Sequence, residues 1–243
     1  MGSLGEIRVL SSGSSGNCVL IYDSVGNYIM VDMGLAWDAI AKGVNYRLGE
    51  CAGGLCSHQH GDHSRSLSKL IELGVPCYGN YDIISRHKGC NLITGPVSIG
   101  GFNVDTFSVC HNVPNNGFVI DTLDGIRTLY CTDASKAPDI VENVNYAIVE
   151  ANWDAEIVFD NVLEGIEIRS QYGNHQSLDT CIEYLKSIKN DELQCVILWH
   201  LSNDNISAPK AIERIKRELG IDNVVVARPN LTIPIIKKKQ CLK

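Results

Sequence analysis

Ser57-His58-Gln59-His60-Gly61-Asp62-His63 is the stretch that decides the fold of this chain. It brings three imidazoles and one carboxylate into six residues, after the short apolar segment 53–56 and before a predicted helix. Such a cluster, if buried, needs a partner for every nitrogen and oxygen, and a metal ion supplies those partners at once. The stretch therefore predicts a metal-binding loop rather than a surface loop that happens to be rich in histidine.

Three further candidate ligands occur later in the chain, each directly after or within two residues of a predicted strand. Side chains in that position sit on loops carried by a rigid sheet, as a metal site requires. Each residue alone is more typical of a capping aspartate or a structural histidine, but together they indicate one ligand set. These residues are His111 after the strand Val104–Val109, Asp133 after Arg127–Cys131, and His200 after Cys195–Trp199.

The rest of the sequence alternates short apolar runs with amphipathic segments, which indicates strands and helices of an α/β protein. Two sheets packed face to face with helices outside, a four-layer αββα sandwich in one domain over residues 1–243, fit this order. The other predicted strands are Ile7–Leu10, Val19–Tyr22, Tyr28–Val31, Gly117–Leu123, Ala147–Val149 and Val224–Ala227. The predicted helices are Leu35–Ala41, Ser64–Leu73 with Ser64 as N-cap, Gln176–Ile188 and Pro209–Leu219.

The amino-acid composition argues against several classes of protein and function. The chain has 243 residues, 44% of them hydrophobic and 20% charged, which excludes disorder as its main state. Its formal net charge of −7 argues against a non-specific coat for duplex nucleic acid. No apolar run is long enough to span a membrane, and the first residues lack a signal peptide. We therefore expect a cytoplasmic protein, with its ten cysteines reduced.

The motif His58-x-His60-x-Asp62-His63, followed by a distal His, Asp and His, resembles the metallo-β-lactamase superfamily. The resemblance covers nearly the whole chain and implies the αββα sandwich with two metal ions at the edge between its sheets. It also implies that Asp133 and a water or hydroxide bridge the two ions. Asp32 would accept a hydrogen bond that orients a ligand histidine or the metal-binding loop. The implied ligands are His58, His60 and His111 for one ion, and Asp62, His63 and His200 for the other, with Asp62 counted also among the catalytic residues.

The spacing between the ligand residues indicates which branches of this superfamily the chain does not resemble. The second-metal pair and the bridging aspartate argue against β-lactamase activity. Only 22 positions separate His111 from Asp133, which leaves no room for the RNA-binding arm of RNase Z enzymes. The 67 positions from Asp133 to His200 leave none for the domain inserted in β-CASP nucleases.

Two other segments resemble the YycJ/VicX group, whose members are usually described as exonuclease-like. They are 11–18, rich in Ser and Gly, and 200–205. From them we expect substrate contacts at Ser14, Ser15, Asn17, Ser202 and Asn203.

His175 resembles a histidine that faces the scissile phosphate in RNase Z and YycJ-type proteins and does not bind metal. Glu150 matches the acidic partner of that histidine. Asn174 and Gln176 depart from the relatives' pattern around it, so the loop is expected to differ.

The resemblance implies a phosphodiester hydrolase in which a bridging hydroxide attacks phosphorus and His175 protonates the leaving oxygen. Its expected substrate is the end of a nucleic-acid strand; a cyclic nucleotide is the alternative, and a thioester or lactone, as in glyoxalase II, is a further one. The mixed His and carboxylate ligands favour zinc as the cofactor, with manganese still open. Relatives are often homodimers, so a homodimer is the expected assembly.

Overall fold

Two seven-stranded sheets lie face to face in the computed structural model, which describes residues 4–136, 140–164 and 172–236. The first sheet has the order β14-β1-β2-β3-β4-β5-β6 and the second β13-β12-β11-β10-β9-β8-β7. In the first sheet the strands are β1 Glu6–Ser11, β2 Cys18–Tyr22, β3 Tyr28–Val31, β4 Cys51–Leu55, β5 Cys77–Gly79, β6 Asn91–Leu92 and β14 Thr232–Pro234. In the second they are β7 Val97–Ile99, β8 Phe102–Val109, β9 Asn115–Asp121, β10 Arg127–Cys131, β11 Tyr146–Glu150, β12 Cys195–Trp199 and β13 Val224–Val226.

Seven helices occupy the described part of the chain, together with short 3-10 turns at Leu48–Glu50 and Tyr172–Asn174. The last helix, α7 (Ala208–Leu219), has a proline in its first turn and is followed by Gly220, whose φ of 63° is left-handed. The helices are α1 Trp37–Gly43, α2 Gly61–Ser64, α3 Leu67–Glu72, α4 Tyr81–Arg86, α5 Ala155–Leu163, α6 Leu178–Ile188 and α7 Ala208–Leu219.

The main core lies between the two sheets. Alternate residues of β1, beginning with Ile7 and Val9, face inward and are fully buried. They meet aromatic residues of the second sheet, including Tyr130 and Trp199, in one apolar cluster. Burial of apolar side chains on both inner faces is what holds the two sheets together.

Two outer clusters complete the four layers. On the second sheet, Val149 and Leu198 pack against apolar residues of α6 and α7. On the first sheet, Leu20 and Met30 pack against apolar residues of α1, α3 and α4. The predicted αββα sandwich is confirmed; that residues 1–243 form a single domain stays a prediction.

Parallel strand pairs decide where the loops gather. Strands β3, β4 and β5 run parallel in the first sheet, and β10, β11, β12 and β13 run parallel in the second. The carboxyl ends of parallel strands meet at one edge of a sheet, where their loops can build a site. The histidine-rich loop follows β4 and therefore opens at this edge.

The predicted helix from Ser64 to Leu73 is wrong at its start. The first turn, α2, begins at Gly61, and the Ser64 hydroxyl donates to the carbonyl oxygens of Gln59 and His60 instead of capping a helix. The chain then leaves the helix, because the backbone N–H of Ser66 donates to Met33 O. This break separates α2 from α3, and periodicity alone does not reveal it. Within the described ranges, no helix has the length and apolar character needed to cross a membrane.

Candidate metal centre

Three residues of the centre adopt left-handed backbone conformations, each at the end of a strand. Asp32 follows β3 with a φ of 57°, Asp133 comes two residues after β10 with 51°, and His200 follows β12 with 53°. Such a conformation costs a non-glycine residue on the order of 1–3 kcal/mol, and it persists where the surroundings enforce it. Its clustering here marks this edge of the sandwich as the candidate functional site.

The first donor cluster consists of His58, His60 and His111. The Nε2 of His58 lies 3.0 Å and the Nε2 of His111 lies 3.3 Å from Nδ1 of His60. The opposite nitrogen of His111 lies 3.1 Å from the carbonyl oxygen of Asn174, which leaves Nε2 with a free lone pair. Burial lowers the pKa of His58 and keeps it neutral, the form that binds metal.

The second cluster consists of Asp62, His63 and His200. Oδ2 of Asp62 lies 3.4 Å from His63 Nε2 and 3.7 Å from His200 Nε2. His200 is 4% exposed, and its Nε2 has no hydrogen-bond partner among the described residues. A buried imidazole nitrogen without a partner is costly unless something binds it.

Asp133 joins the two clusters. Its Oδ2 lies 2.9 Å from His63 Nε2, and its Oδ1 lies 3.9 Å from His200 Nε2. It also forms a compact donor group with His58 and His63, in which ligand atoms lie within 4.8 Å of one another. Converging imidazoles and carboxylates are the donors that zinc and similar divalent ions prefer, so the residues present fit metal ions.

Asp32 belongs to neither cluster but holds this centre in place through hydrogen bonds. Its carboxylate accepts from the backbone N–H of Ser57 at 2.8 Å and from the hydroxyl of Tyr130 at 2.7 Å. Its Oδ2 also lies 2.7 Å from His63 Nδ1. A proton held between Nδ1 and Asp32 leaves the Nε2 lone pair of His63 facing Asp133 and Asp62, the orientation that a ligand needs.

His175 and Glu150 form the next feature, at the rim of the centre. Nδ1 of His175 lies 2.6 Å from Glu150 Oε1 and 3.1 Å from Asp133 Oδ1. Glu150 is fully buried and is fixed by the backbone N–H groups of Ala134 at 2.8 Å and Gln176 at 3.2 Å. Burial lowers the pKa of His175, but its hydrogen bonds to Asp133 and Glu150 outweigh burial and raise the pKa to about 10. A partly exposed imidazole that holds its proton can act as a general acid.

A cavity of about 250 Å³ opens over these residues. Neither Lys nor Arg occurs among the described residues that line it. The positive charge that an anionic substrate requires would therefore come from metal ions held by these residues and from His175. The lining consists of Ser14, His60, Asp62, His111, Asn112, Asp133, Asn174, His175 and His200.

The structure places only some of the residues expected to contact substrate at this cavity. Ser14 is exposed and lines the cavity, whereas Ser15, Ser202 and Asn203 are absent from its described lining. The hydroxyl of Ser202 instead accepts from the backbone of Asp204 within its own loop.

Asn17 needs a correction, because its side chain is fully buried and cannot reach a substrate. Its Nδ2 lies 3.0 Å from His63 Nε2, and its backbone N–H donates to Asp62 O at 2.7 Å. It therefore positions the loop that carries the second cluster.

Several residues of the centre gave no usable signal in the sequence. Tyr130 reads as an ordinary apolar strand residue, yet its hydroxyl crosses from the second sheet to Asp32 in the first. The Nδ2 of Asn115 donates to the carbonyl oxygens of Thr132 and Asp133 at 2.9 and 3.1 Å. The hydroxyl of Ser12 accepts from the backbone N–H of His200 at 2.8 Å. Only the folded arrangement reveals these contacts, since the partners are far apart in the chain.

Sequence comparison gives two informative relatives, and no family model matches the chain. The chain is 25% identical over 222 residues to the exodeoxyribonuclease YycJ of Bacillus anthracis, covering 82% of this chain and 83% of the relative. It is 24% identical over 224 residues to the exodeoxyribonuclease WalJ of Streptococcus pneumoniae, covering 82% of each.

Solved structures match over nearly the whole chain. The metallo-β-lactamase fold protein YhfI of Bacillus subtilis has a TM-score of 0.71 at 16% identity, covering 95% of this chain and 99% of that one. The short form of human tRNase Z has a TM-score of 0.65 at 13% identity, covering 96% and 100%. At these identities the structural matches establish the fold, and the sequence relatives add the enzyme class. The chain is therefore a metallo-hydrolase with the metallo-β-lactamase fold, similar in sequence to the YycJ and WalJ exodeoxyribonucleases.

Proposed function

We propose that this chain is a binuclear metal-dependent phosphodiester hydrolase that acts on the ends of nucleic-acid strands. The observation that carries the proposal is the His175–Glu150 pair, whose imidazole reaches the cavity beside Asp133. Hydrolysis of a phosphodiester expels an alkoxide, a poor leaving group unless a proton arrives. Hydrolysis of a thioester expels a thiolate, which does not need such an acid, so the pair favours phosphodiester chemistry over thioester hydrolysis of the glyoxalase II type.

Two divalent ions would be held by the clusters described above. His58, His60 and His111 would hold one ion, while Asp62, His63 and His200 would hold the second, with Asp133 between them. When bound, such ions activate water and stabilise the charge that develops on phosphorus. The mixture of imidazoles and carboxylates favours zinc, and manganese is the alternative.

The chain's own residues supply the proton and its control. Glu150 accepts from Nδ1 of His175 and fixes the orientation of the ring, so that Nε2 is free to donate to the leaving oxygen. His175 is 13% exposed, enough to reach a substrate in the cavity while most of its ring stays buried. Asp32 keeps His63 in the tautomer that presents Nε2 to the metal-binding side.

The choice of substrate rests on the relatives, whose names describe exodeoxyribonucleases. A cyclic nucleotide remains the second candidate, because the net charge is −7 and the described cavity lining carries no Lys or Arg. Long nucleic acids usually engage several cationic side chains, whereas a small substrate needs only the centre itself.

A substrate screen tests the proposal. Metal-loaded protein would be incubated with end-labelled single-stranded DNA and RNA, cyclic mononucleotides, bis(p-nitrophenyl) phosphate and a thioester. We expect stepwise shortening of a strand and hydrolysis of the nitrophenyl diester, both lost in Asp133→Ala. Turnover of the thioester alone would contradict the proposal, and turnover of cyclic nucleotides alone would support the second candidate. The expected homodimer stays a prediction, which light scattering checks.

A further inference from the structure

A second groove, of about 430 Å³, lies beside the metal centre at the same edge of the sandwich. Its walls come from the loop after β5, the residues after β6, the end of β8 and the start of β9. His111 follows the last residue of β8, Val109, by two positions, so this groove and the first donor cluster share one segment. Residues that line it include Asn80, Tyr81, Thr94, Phe107, Asn115 and Asn116.

Two side chains of the groove donate hydrogen bonds to backbone carbonyl groups of the metal-binding loops. Asn80 donates through Nδ2 to the carbonyl oxygen of Ser57, the residue before His58, at 3.2 Å. Asn115 donates to the carbonyl oxygen of Asp133 at 3.1 Å. Two residues of the groove are therefore hydrogen-bonded to the loops that carry His58 and Asp133.

Tyr81 stands at a fixed place on this groove. It is 68% exposed, although it begins α4 and its backbone is held by Asn80, whose Oδ1 accepts from the N–H groups of Asp82 and Ile83 at 3.1 Å. An exposed aromatic ring on a fixed backbone is a ready stacking platform, because little order is lost on binding.

The chemistry of the groove suits an uncharged planar ligand. The described lining holds amides, hydroxyls, two aromatic rings and the aliphatic side chains of Ile93, Val109 and Pro114, with no Asp, Glu, Lys or Arg, in a chain whose net charge is −7. The ring of Phe107 lies against Gly117, where a Cβ would come within 2.2 Å of it. Nucleobases are planar, carry donors and acceptors for amides, and stack on aromatic side chains.

We propose that the groove binds an unpaired base of a nucleic-acid strand whose scissile phosphate lies in the metal centre, and that Tyr81 stacks on this base. The inference rests on the proposed function and specifies its substrate as single-stranded, since a base inside a duplex is stacked on both faces. Tyr81 is a binding residue in this scheme and takes no part in the chemical step.

The test combines variants with modified strands. Tyr81→Ala and Tyr81→Phe would be compared with wild type, and Tyr46→Ala serves as the matched control, since Tyr46 is 73% exposed and absent from the groove's described lining. Steady-state KM and kcat would be measured on a short single-stranded DNA and on strands with one abasic nucleotide at the first, second or third position from the cleaved end.

Stacking on one base is worth about 1–3 kcal/mol, which corresponds to roughly 5- to 140-fold in affinity. We therefore expect Tyr81→Ala to raise KM on the normal strand by a factor in that range, Tyr81→Phe to retain the wild-type KM, and Tyr46→Ala to match wild type. One abasic position should cost wild type the same factor, and on that strand Tyr81→Ala should add no further loss.

An unchanged KM in Tyr81→Ala, or an equal loss on normal and abasic strands, would overturn the groove proposal while the phosphodiesterase proposal stands. Wild-type protein that hydrolyses bis(p-nitrophenyl) phosphate but cleaves no strand would overturn the groove proposal and the choice of nucleic-acid ends as substrate, while phosphodiester hydrolysis itself would stand. If wild-type protein hydrolyses no phosphodiester at all, both proposals fail.

Discussion

Single residues carry the proposed chemistry, and each is held by a contact from a distant part of the chain. The His175–Glu150 contact of 2.6 Å is the shortest of these, and Glu150 in turn is locked by two backbone N–H groups. Replacement of either member should therefore change proton transfer without disturbing the donor clusters.

The first prediction concerns His175. A positioned general acid contributes about 10²–10⁴-fold, so His175→Ala should reduce kcat on an ordinary phosphodiester by roughly that factor. Metal content should stay at the wild-type level, because the proposed ligands are other residues. The defect should shrink on bis(p-nitrophenyl) phosphate, whose leaving group needs no proton, and Glu150→Gln should give a weaker version of the same pattern. Steady-state kinetics and elemental analysis check both statements; loss of metal in His175→Ala would show that it is a ligand.

Asp133 gives the second prediction at this scale. Because Asp133 forms one compact donor group with His58 of the first cluster and His63 of the second, its removal should weaken both ion sites. Purified wild-type protein should carry about two divalent ions per chain. Asp133→Ala should lose at least one, measured by elemental analysis after extensive dialysis. The matched control is Asp124→Ala, in the exposed turn between β9 and β10, which should keep wild-type content; full occupancy in Asp133→Ala would refute the bridging assignment.

At the scale of elements, apolar runs predicted most of the longer strands correctly, because a buried strand needs a continuous or alternating apolar stretch. The predicted strand Cys195–Trp199 agrees with β12 at both ends. The two-residue β6 and the three-residue β5, β7 and β14 were missed, since so short a segment leaves no periodicity to read. Helix α5 was also missed, and none of its residues is buried, so it has no apolar face turned to the core.

The loop between β3 and α1 carries an element-scale prediction. A Cβ on Gly34 would overlap the carbonyl oxygen of Asp62 and lie 2.8 Å from the backbone nitrogen of Asn17. Gly34→Ala should therefore push the second donor cluster out of place and destabilise the fold by about 1–3 kcal/mol. Urea unfolding and elemental analysis would measure the two effects. Gly49→Ala is the control, since a Cβ there meets no described atom within 4 Å; equal behaviour of the two variants would contradict the close approach.

At the scale of the whole molecule, the sequence could predict which residues would gather but not how they are held. Strand-end histidines and aspartates were readable because strand ends meet at one edge of a sheet, although their roles as ligands remain predictions. The support for them was not readable: Tyr130 reaches Asp32 across the two sheets over 98 positions of sequence. Such pairings are set by how the two sheets pack against each other. A single sequence does not show which distant residues that packing brings together.

Cysteine chemistry provides a prediction for the whole chain. The nine described cysteines are free, and burial raises the pKa of the thiols of Cys51 and Cys195 to about 12 and of Cys90 to about 11. Cys241 lies outside the described residues. Thiols held protonated in this way oxidise slowly. Titration of denatured protein, purified under reducing conditions and then freed of reductant, should recover close to all ten thiols. Recovery of only a few would contradict the reduced state.

Metal removal tests the sandwich as one thermodynamic unit. Each donor cluster takes residues from loops of both sheets. Ions that bind the folded chain but not the unfolded chain therefore stabilise the whole fold by mass action. At 100- to 1,000-fold excess over Kd this linkage amounts to about 2.7–4.1 kcal/mol per site, and about 2–4 °C of Tm accompanies each kcal/mol in a chain of this size. Chelation should therefore lower the Tm by roughly 5–15 °C per ion, and added zinc should restore it. Asp133→Ala should start from a lower Tm and respond less to the chelator, whereas Asp124→Ala should follow wild type. A Tm that does not change on chelation, in protein shown by elemental analysis to have lost its ions, would mean that the clusters are held together without metal.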